Sequence, residues 1–155
     1  MTVQVQTEDF DVGLEINKLR FSNSNAGALV SFVGQVREFT HDNLNVGDSI
    51  HTLTLEHYPG MTESALEAIE LEAKKRWNVL NILIIHRVGS LKPLDQIVLV
   101  IVMSAHRGDA FKACEFMMDY LKTQAPFWKK EVTPTGERWV DARLSDDAAL
   151  KRWHQ

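Results

Sequence analysis

The chain has 155 residues, enough for one ordinary domain that buries roughly 70% of the surface its unfolded form would expose. Its composition, 45% hydrophobic and 25% charged, is that of a soluble globular protein, and no apolar run approaches the ~18 residues a membrane-spanning helix needs. A net charge of −4 disfavours nonspecific nucleic-acid binding, and one cysteine excludes an internal disulfide framework and any multi-cysteine metal site.

From Met1 to Asp11 polar and apolar residues alternate, and Glu8, Asp9 and Asp11 replace the basic-then-apolar layout of a secretory signal, so a cytoplasmic location is expected. The first clear strand is Ala28 to Val33, closed by Gly34 and followed by Gln35-Val36-Arg37. The polar, Asn-rich stretch Thr40 to Asp48 reads as a mobile loop. Ile50 to His57 then alternates, with Leu53, Leu55 and His57 opposite Thr52, Thr54 and Glu56, the period of a half-buried strand. Tyr58-Pro59-Gly60 breaks it. Thr62 or Ser64 can cap the next helix, Ser64 forming a capping box with Glu67, and Leu66, Ile69, Ala73 and Trp77 give it one apolar stripe.

Two β-branched runs follow, Val79 to Val88 and Gln96 to Met103. Their connector, Gly89 to Asp95, is too short for a parallel crossover, so the pair is expected to be antiparallel. A second helix runs from about Arg107 to Thr123 and ends before Pro126. Phe127 to Val132 and Arg138 to Ala142 read as a hairpin turned at Thr133-Pro134-Thr135-Gly136. Without an internal repeat or a Pro/Gly-rich linker, residues 1–155 are read as one α+β domain with a mostly antiparallel sheet and two main helices.

Motifs for nucleotide, serine-hydrolase and zinc-protease chemistry are absent: no GxGxxG, phosphate-cradling loop, GxSxG or HExxH occurs. His51, His57 and His86 fall singly on strands and read as hydrogen-bonded structural residues, and Cys114 shares helical spacing with Ala110, Met117 and Leu121, as a small core hydrophobe does. Acidic residues crowd the first main helix (Glu63, Glu67, Glu70, Glu72) and the tail (Asp141, Asp146, Asp147). His106, Arg107, Lys112, Lys122, Lys129 and Lys130 instead fall in one short stretch, suggesting a small anionic ligand.

Within that stretch, Ser104-Ala105-His106-Arg107-Gly108 joins a strand to a helix N-terminus, where unpaired N–H groups favour an anion. The alternative is that Ser104 or Asp109 caps the helix and Arg107 is solvated. Lys122, near the helix C-terminus and followed by Pro126-Phe127-Trp128, is either a lysine whose charge is disfavoured by apolar neighbours or a cation that complements the helix dipole. Strand alternation separates Trp128, Lys130 and Val132 from Lys129 and Glu131. With Trp128 and Val132 read as core, Lys129 is assigned to the pocket and Lys130 to solvent or a partner.

Taken together, Phe32-Val33-Gly34-Gln35-Val36-Arg37, Leu55 to Met61, His86-Arg87-Val88-Gly89, Ser104-Ala105-His106-Arg107, Asp119 to Lys122 and Ala125 to Glu131 resemble one family, the large, catalytic subunit of molybdopterin synthase. The likeness runs from about Phe10 to Trp153. It implies an α/β-hammerhead-like fold with an additional β-hairpin subdomain. It also implies a sulfurtransferase that converts cyclic pyranopterin monophosphate to molybdopterin, taking sulfur from the C-terminal Gly-Gly thiocarboxylate of a small ubiquitin-like partner, two large subunits forming a homodimer at the centre of a heterotetramer. No cofactor or metal is implied.

Carried over by position, the resemblance makes Lys122 and Lys129 catalytic and assigns substrate contacts to Gln35, Val36, Arg37, His106, Arg107, Lys122, Lys129, Lys130 and Glu131. Arg143 matches an arginine that reaches the pocket across the dimer. Gln35 stands where relatives often carry lysine, and Lys130 where arginine is common. Two other readings stay open: a non-catalytic docking module for a ubiquitin-like tail, and a stand-alone enzyme acting on another phosphorylated small molecule.

Overall fold

The computed structural model describes residues 2–38, 50–140 and 144–154, with side chains from 148 onward in the last stretch. Arg143 and the Thr40 to Asp48 loop lie outside the described residues. In chain order the elements are β1 (Val3–Gln6), α1 (Val12–Arg20), β2 (Ala28–Gln35), β3 (Thr52–His57), α2 (Met61–Arg76), β4 (Val79–Arg87), β5 (Gly89–Leu91), β6 (Gln96–Ser104), α3 (Arg107–Gln124), β7 (Phe127–Thr133), β8 (Gly136–Val140) and α4 (Leu144–Lys151).

Continuous apolar runs such as Ile82–Ile85 and Val98–Met103 suit strands covered on both faces. Both lie in the first sheet, ordered β1-β4-β6-β2, where only the β1–β4 pair is parallel. Ile82, Ile84, Val98, Val100 and Val102 face α2 and α3, packing against Leu66, Ile69, Ala113, Phe116 and Met117. Leu83, Ile85, Leu99 and Ile101 face the other way and are covered by Phe10 and by Val12, Ile16 and Leu19 of α1. Each such side chain, once fully buried, contributes roughly 1.5–3 kcal/mol of transfer free energy.

The second sheet, β5-β3-β7-β8, is antiparallel throughout. Leu53, Leu55 and Leu91 form its buried row with Val36 and Ile50. Cross-strand register places Leu53 beside Glu131 and Leu55 beside Lys129. The expected hairpin is therefore part of a four-stranded sheet, and β5 arises inside what the sequence presents as a connector.

α2 starts earlier than the Ser64–Glu67 capping box would allow. Its N-cap is Gly60, at φ 86°, and the Gly60 N–H is taken by Glu63 Oε2 at 3.4 Å. Thr62, fully buried, accepts from the Tyr58 N–H and donates to the Pro126 carbonyl, both at 3.0 Å, tying the start of α2 to the α3–β7 junction.

Two helices exceed the expected pair. α1 is capped by the Asp11 carboxylate, which accepts from the Leu14 N–H at 2.9 Å. α4 is followed by Arg152 and Trp153, which both donate to Asp119 Oδ2, at 2.8 and 2.7 Å, while the Trp153 ring meets Trp77 and Phe116 edge-on. The turn into α3 is set by close packing: the Gly27 N–H donates to the Ser104 carbonyl, and a Cβ at Gly27 would come within 2.4 Å of the Ala105 carbonyl oxygen.

Candidate active site at the C-terminal end of α3

On β4 the row Ile82, Ile84 continues to His86, so a histidine is placed on the face that packs against α3. It is 3% exposed, and its ring stacks on Phe127 at the start of β7, with centroids 3.7 Å apart and planes 17° apart. Its Nδ1 lies 2.8 Å from the Arg87 carbonyl oxygen, which can only accept, so Nδ1 carries the proton. Burial pushes the imidazole down to about 3; the Arg87 carbonyl opposes the change, and the charges of Lys129, Lys122 and His57 reinforce it. Near neutral pH His86 is an uncharged ring within electrostatic reach of two lysines from different elements.

Those two lysines are the ones the sequence singles out. α3 runs back along β6, so Lys122 returns to the sheet end where β2 finishes at Gln35, while Lys129 projects from β7 on the same strand face as Phe127 and Glu131. Gln35 and Arg37 are exposed at this end. Val36, between them, is 1% exposed; its N–H donates to the Asp95 carbonyl and its carbonyl accepts from the Leu94 N–H. Its side chain belongs to the core beneath the second sheet.

Strand alternation along β7 holds, but the face reading reverses for Trp128, which is 47% exposed. The inner face carries Phe127, Lys129, Glu131 and Thr133 because it is continuous with the Leu53–Leu55 row. Lys130 is on the outer face, 3.8 Å from Glu137 and 5.7 Å from the centroid of the Trp139 ring. Glu131, 8% exposed, accepts from Arg138 Nε and Nη2 at 3.2 and 3.1 Å, so its charge is matched within the chain.

The basic stretch is not one zone in space. Arg107 and Lys122 are fifteen residues apart on one helix, which at 1.5 Å per residue separates them by about 22 Å. His106 is the N-cap of α3, without a side-chain cap bond, and both His106 and Arg107 are exposed. Neither anticipated alternative cap forms, for the Ser104 hydroxyl donates to the His106 carbonyl and the Asp109 carboxylate accepts from the Asn78 N–H at 3.2 Å. Within one chain, then, Lys122, Lys129, Gln35 and Arg37 share an end, and His106-Arg107 occupies the other.

His86 is the hydrogen-bonded strand histidine the sequence suggests; what the sequence does not show is its stack on Phe127 and the pairing of Arg138 with Glu131. Parity signals a partner for His86, since a polar residue continuing an apolar row must meet something polar, but its neighbours come from strands and helices far along the chain. Cys114 is buried, as its spacing implies, and burial raises its thiol to about 11. It lines a cavity of about 320 Å³ between β2 and α3, with Val30, Phe32, Phe111 and Met118. Among the described residues no three His, Cys, Asp or Glu side chains converge as metal ligands, and no helix is long and apolar enough to cross a membrane.

Comparison with known proteins agrees with this geometry. The family model described as MoaE protein matches residues 5–124. A molybdopterin synthase catalytic subunit from Ralstonia nicotianae is 56% identical over 152 residues, 98% of this chain and 84% of the relative. One from Pseudomonas aeruginosa is 52% identical over the whole of both chains. The solved molybdopterin biosynthesis MoaE protein from Burkholderia ambifaria superposes with a TM-score of 0.83 at 56% identity, covering 99% of this chain and 98% of that one. A stripe of identity this long, on the same α+β fold, leaves one conclusion: the chain belongs to the MoaE family.

Proposed function

We propose that this chain is a sulfurtransferase that passes sulfur from the thiocarboxylated C-terminal glycine of a small ubiquitin-like subunit to cyclic pyranopterin monophosphate, building the dithiolene of molybdopterin. The observation that carries the reading is that Lys122, near the end of α3, and Lys129, near the start of β7, are separated only by the junction that the stacked His86–Phe127 pair holds against β4. Cations near a buried aromatic pair suit a site where two anions, a thiocarboxylate and a cyclic phosphate, must approach each other.

In this scheme the thiocarboxylate sulfur attacks a carbon of the pterin side chain, a C–S bond forming as a C–O bond at that carbon breaks and its oxygen leaves on the phosphate or as water. Hydrolysis of the acyl–sulfur bond then leaves the sulfur on the pterin and returns the partner's glycine as a carboxylate. Lys122, beside the partner's terminal glycine, steadies the negative charge as sulfur attacks and as water later releases the acyl group. Lys129 moves protons on the pterin, and Arg37 and Gln35 orient the phosphate. Each molybdopterin takes two sulfurs and therefore consumes two thiocarboxylates.

The cavity between β2 and α3 offers the partner's tail a path. Among the described residues β2 pairs with β6 alone, so its other edge can accept an added strand, and Met118 in the cavity wall lies one helical turn before Lys122. His106 and Arg107 cannot join this site from the same chain. For them to contact the same pterin a second copy must supply them, which favours a homodimer whose active sites are shared, with one small subunit on each half. Arg143 is assigned to the same cross-chain contribution.

Reconstitution tests the proposal. Purified chain, thiocarboxylated partner and cyclic pyranopterin monophosphate should yield molybdopterin in amounts set by the thiocarboxylate supplied. Tight partner binding without product would make the chain a docking module, and partner-independent turnover of another phosphate would make it a stand-alone enzyme.

A further inference from the structure

The two lysines are joined by a short junction, Thr123 to Trp128, in which α3 ends and β7 begins. Their relative placement depends on how that junction is held. Two contacts from distant parts of the chain hold it. Thr62 donates its hydroxyl to the Pro126 carbonyl at 3.0 Å, and His86 stacks flat on Phe127 at 3.7 Å. The His86 ring is itself oriented by the 2.8 Å bond from Nδ1 to the Arg87 carbonyl, so the plane on which Phe127 rests is fixed by β4, a central strand of the first sheet. Phe127 is thus where the second sheet and the end of α3 are referenced to the rigid core.

We propose that His86 is a positioning residue: its Nδ1-protonated ring, stacked on Phe127, sets the placement of Lys129 relative to Lys122. This rests on the reading of the two lysines as catalytic. A histidine serves here because it joins a flat stacking surface to one inward donor, and because its uncharged form adds no third cation. Phenylalanine would supply the surface without the donor, and asparagine a donor in the Nδ1 position without the surface. The titratable groups that influence the ring electrostatically are Lys129 of β7, Lys122 of α3 and His57 of β3.

The test compares H86F, H86N and F127L in the full chain reconstituted with its thiocarboxylated partner, after thermal melts show that each variant folds. H86N should lower kcat roughly tenfold with little change in KM or in partner affinity, and H86F should recover most of that loss. The H86N/F127L double variant should be no slower than the slower single variant, since both act through one contact. In the unsubstituted chain, nitrogen-detected NMR should show His86 as the Nδ1–H tautomer without titration between about pH 5 and 8. Normal kcat in H86N, fully additive losses in the double variant, or a His86 resonance titrating near its ordinary 6.5 would each overturn the proposal. A parallel K122A sample separates the two readings: a fully active K122A removes the catalytic assignment, whereas an inactive K122A beside an unimpaired H86N removes only the positioning role.

Discussion

At its N-terminal end α3 presents His106 and Arg107 to solvent, and the N-cap His106 makes no side-chain cap bond. At its C-terminal end Lys122 comes within electrostatic reach of a stacked His86–Phe127 pair that Lys129 approaches from another element. Both ends are cationic, and both are held by long-range contacts, Gly27 and Asn78 at the first and the His86–Phe127 stack at the second, yet only at the second do those contacts set cations from two different elements near each other. The first presents exposed His106 and Arg107, which the proposed shared site would use from a second copy. Cations close in sequence form a site only where the fold returns them to one place, and a straight helix holds its ends apart.

The largest expected effects test that contrast directly. K122A should lower turnover about 10²- to 10⁴-fold, as loss of a proton-transferring or charge-stabilising group does, while the partner complex still assembles on a gel-filtration column. R107A should instead raise KM roughly ten- to hundredfold by removing a charge-assisted contact to phosphate. The two variants should also complement each other. In a mixed dimer one of the two shared sites receives both defects and the other receives neither, so each hybrid molecule should regain about half the unsubstituted rate. Hybrids no more active than the parents would place Arg107 outside the Lys122 site and end the shared-site reading.

A smaller effect sharpens the picture of the C-terminal end. Because His86 is held down to about 3 in the folded chain against an ordinary 6.5, the unfolded chain binds the extra proton between these values. The contribution of His86 is therefore fully present above about pH 6.5 and is lost progressively as the pH falls toward 3. Denaturant midpoints measured across that range should decline, and H86F should flatten the decline. The smallest effect should come from D119N, one turn before Lys122. Weakening the bonds from Arg152 and Trp153 should lower Tm by a few degrees without changing KM for the pterin.

Much of the fold was legible where a pattern ran long enough. The apolar runs of β4 and β6, the short connector between them, and the stripes of α2 and α3 all carry their periodicity in the sequence. β1 and α1 were not legible: four residues give little alternation, and α1 buries no residue fully, since it shields a sheet face already made apolar by Leu99 and Ile101. α4 packs on α3 itself, with Leu150 buried, and Arg152 and Trp153 just beyond it bond to Asp119. For β7, alternation showed which residues share a face but not which face is covered. The Leu53–Leu55 row decides that, and it favours the lysine and glutamate over the tryptophan. In the candidate site the lysines and a structural His86 were visible, but its stack on Phe127 was not, because an isolated strand histidine does not show what crosses over it. The separation of His106 from Lys122 was readable all along from helix length.

Gly27 carries a consequence of a different kind. Its missing methyl group is the clearance into which the Ala105 carbonyl fits, 78 residues further along the chain. Heredity is thereby constrained at a position that bears no charge and performs no chemistry: an alanine codon there would wedge the turn that aims His106 and Arg107, leaving every ionisable group intact. Loss of activity in such an allele would look like a folding defect by sequence inspection, yet its origin would be steric and confined to one end of one helix.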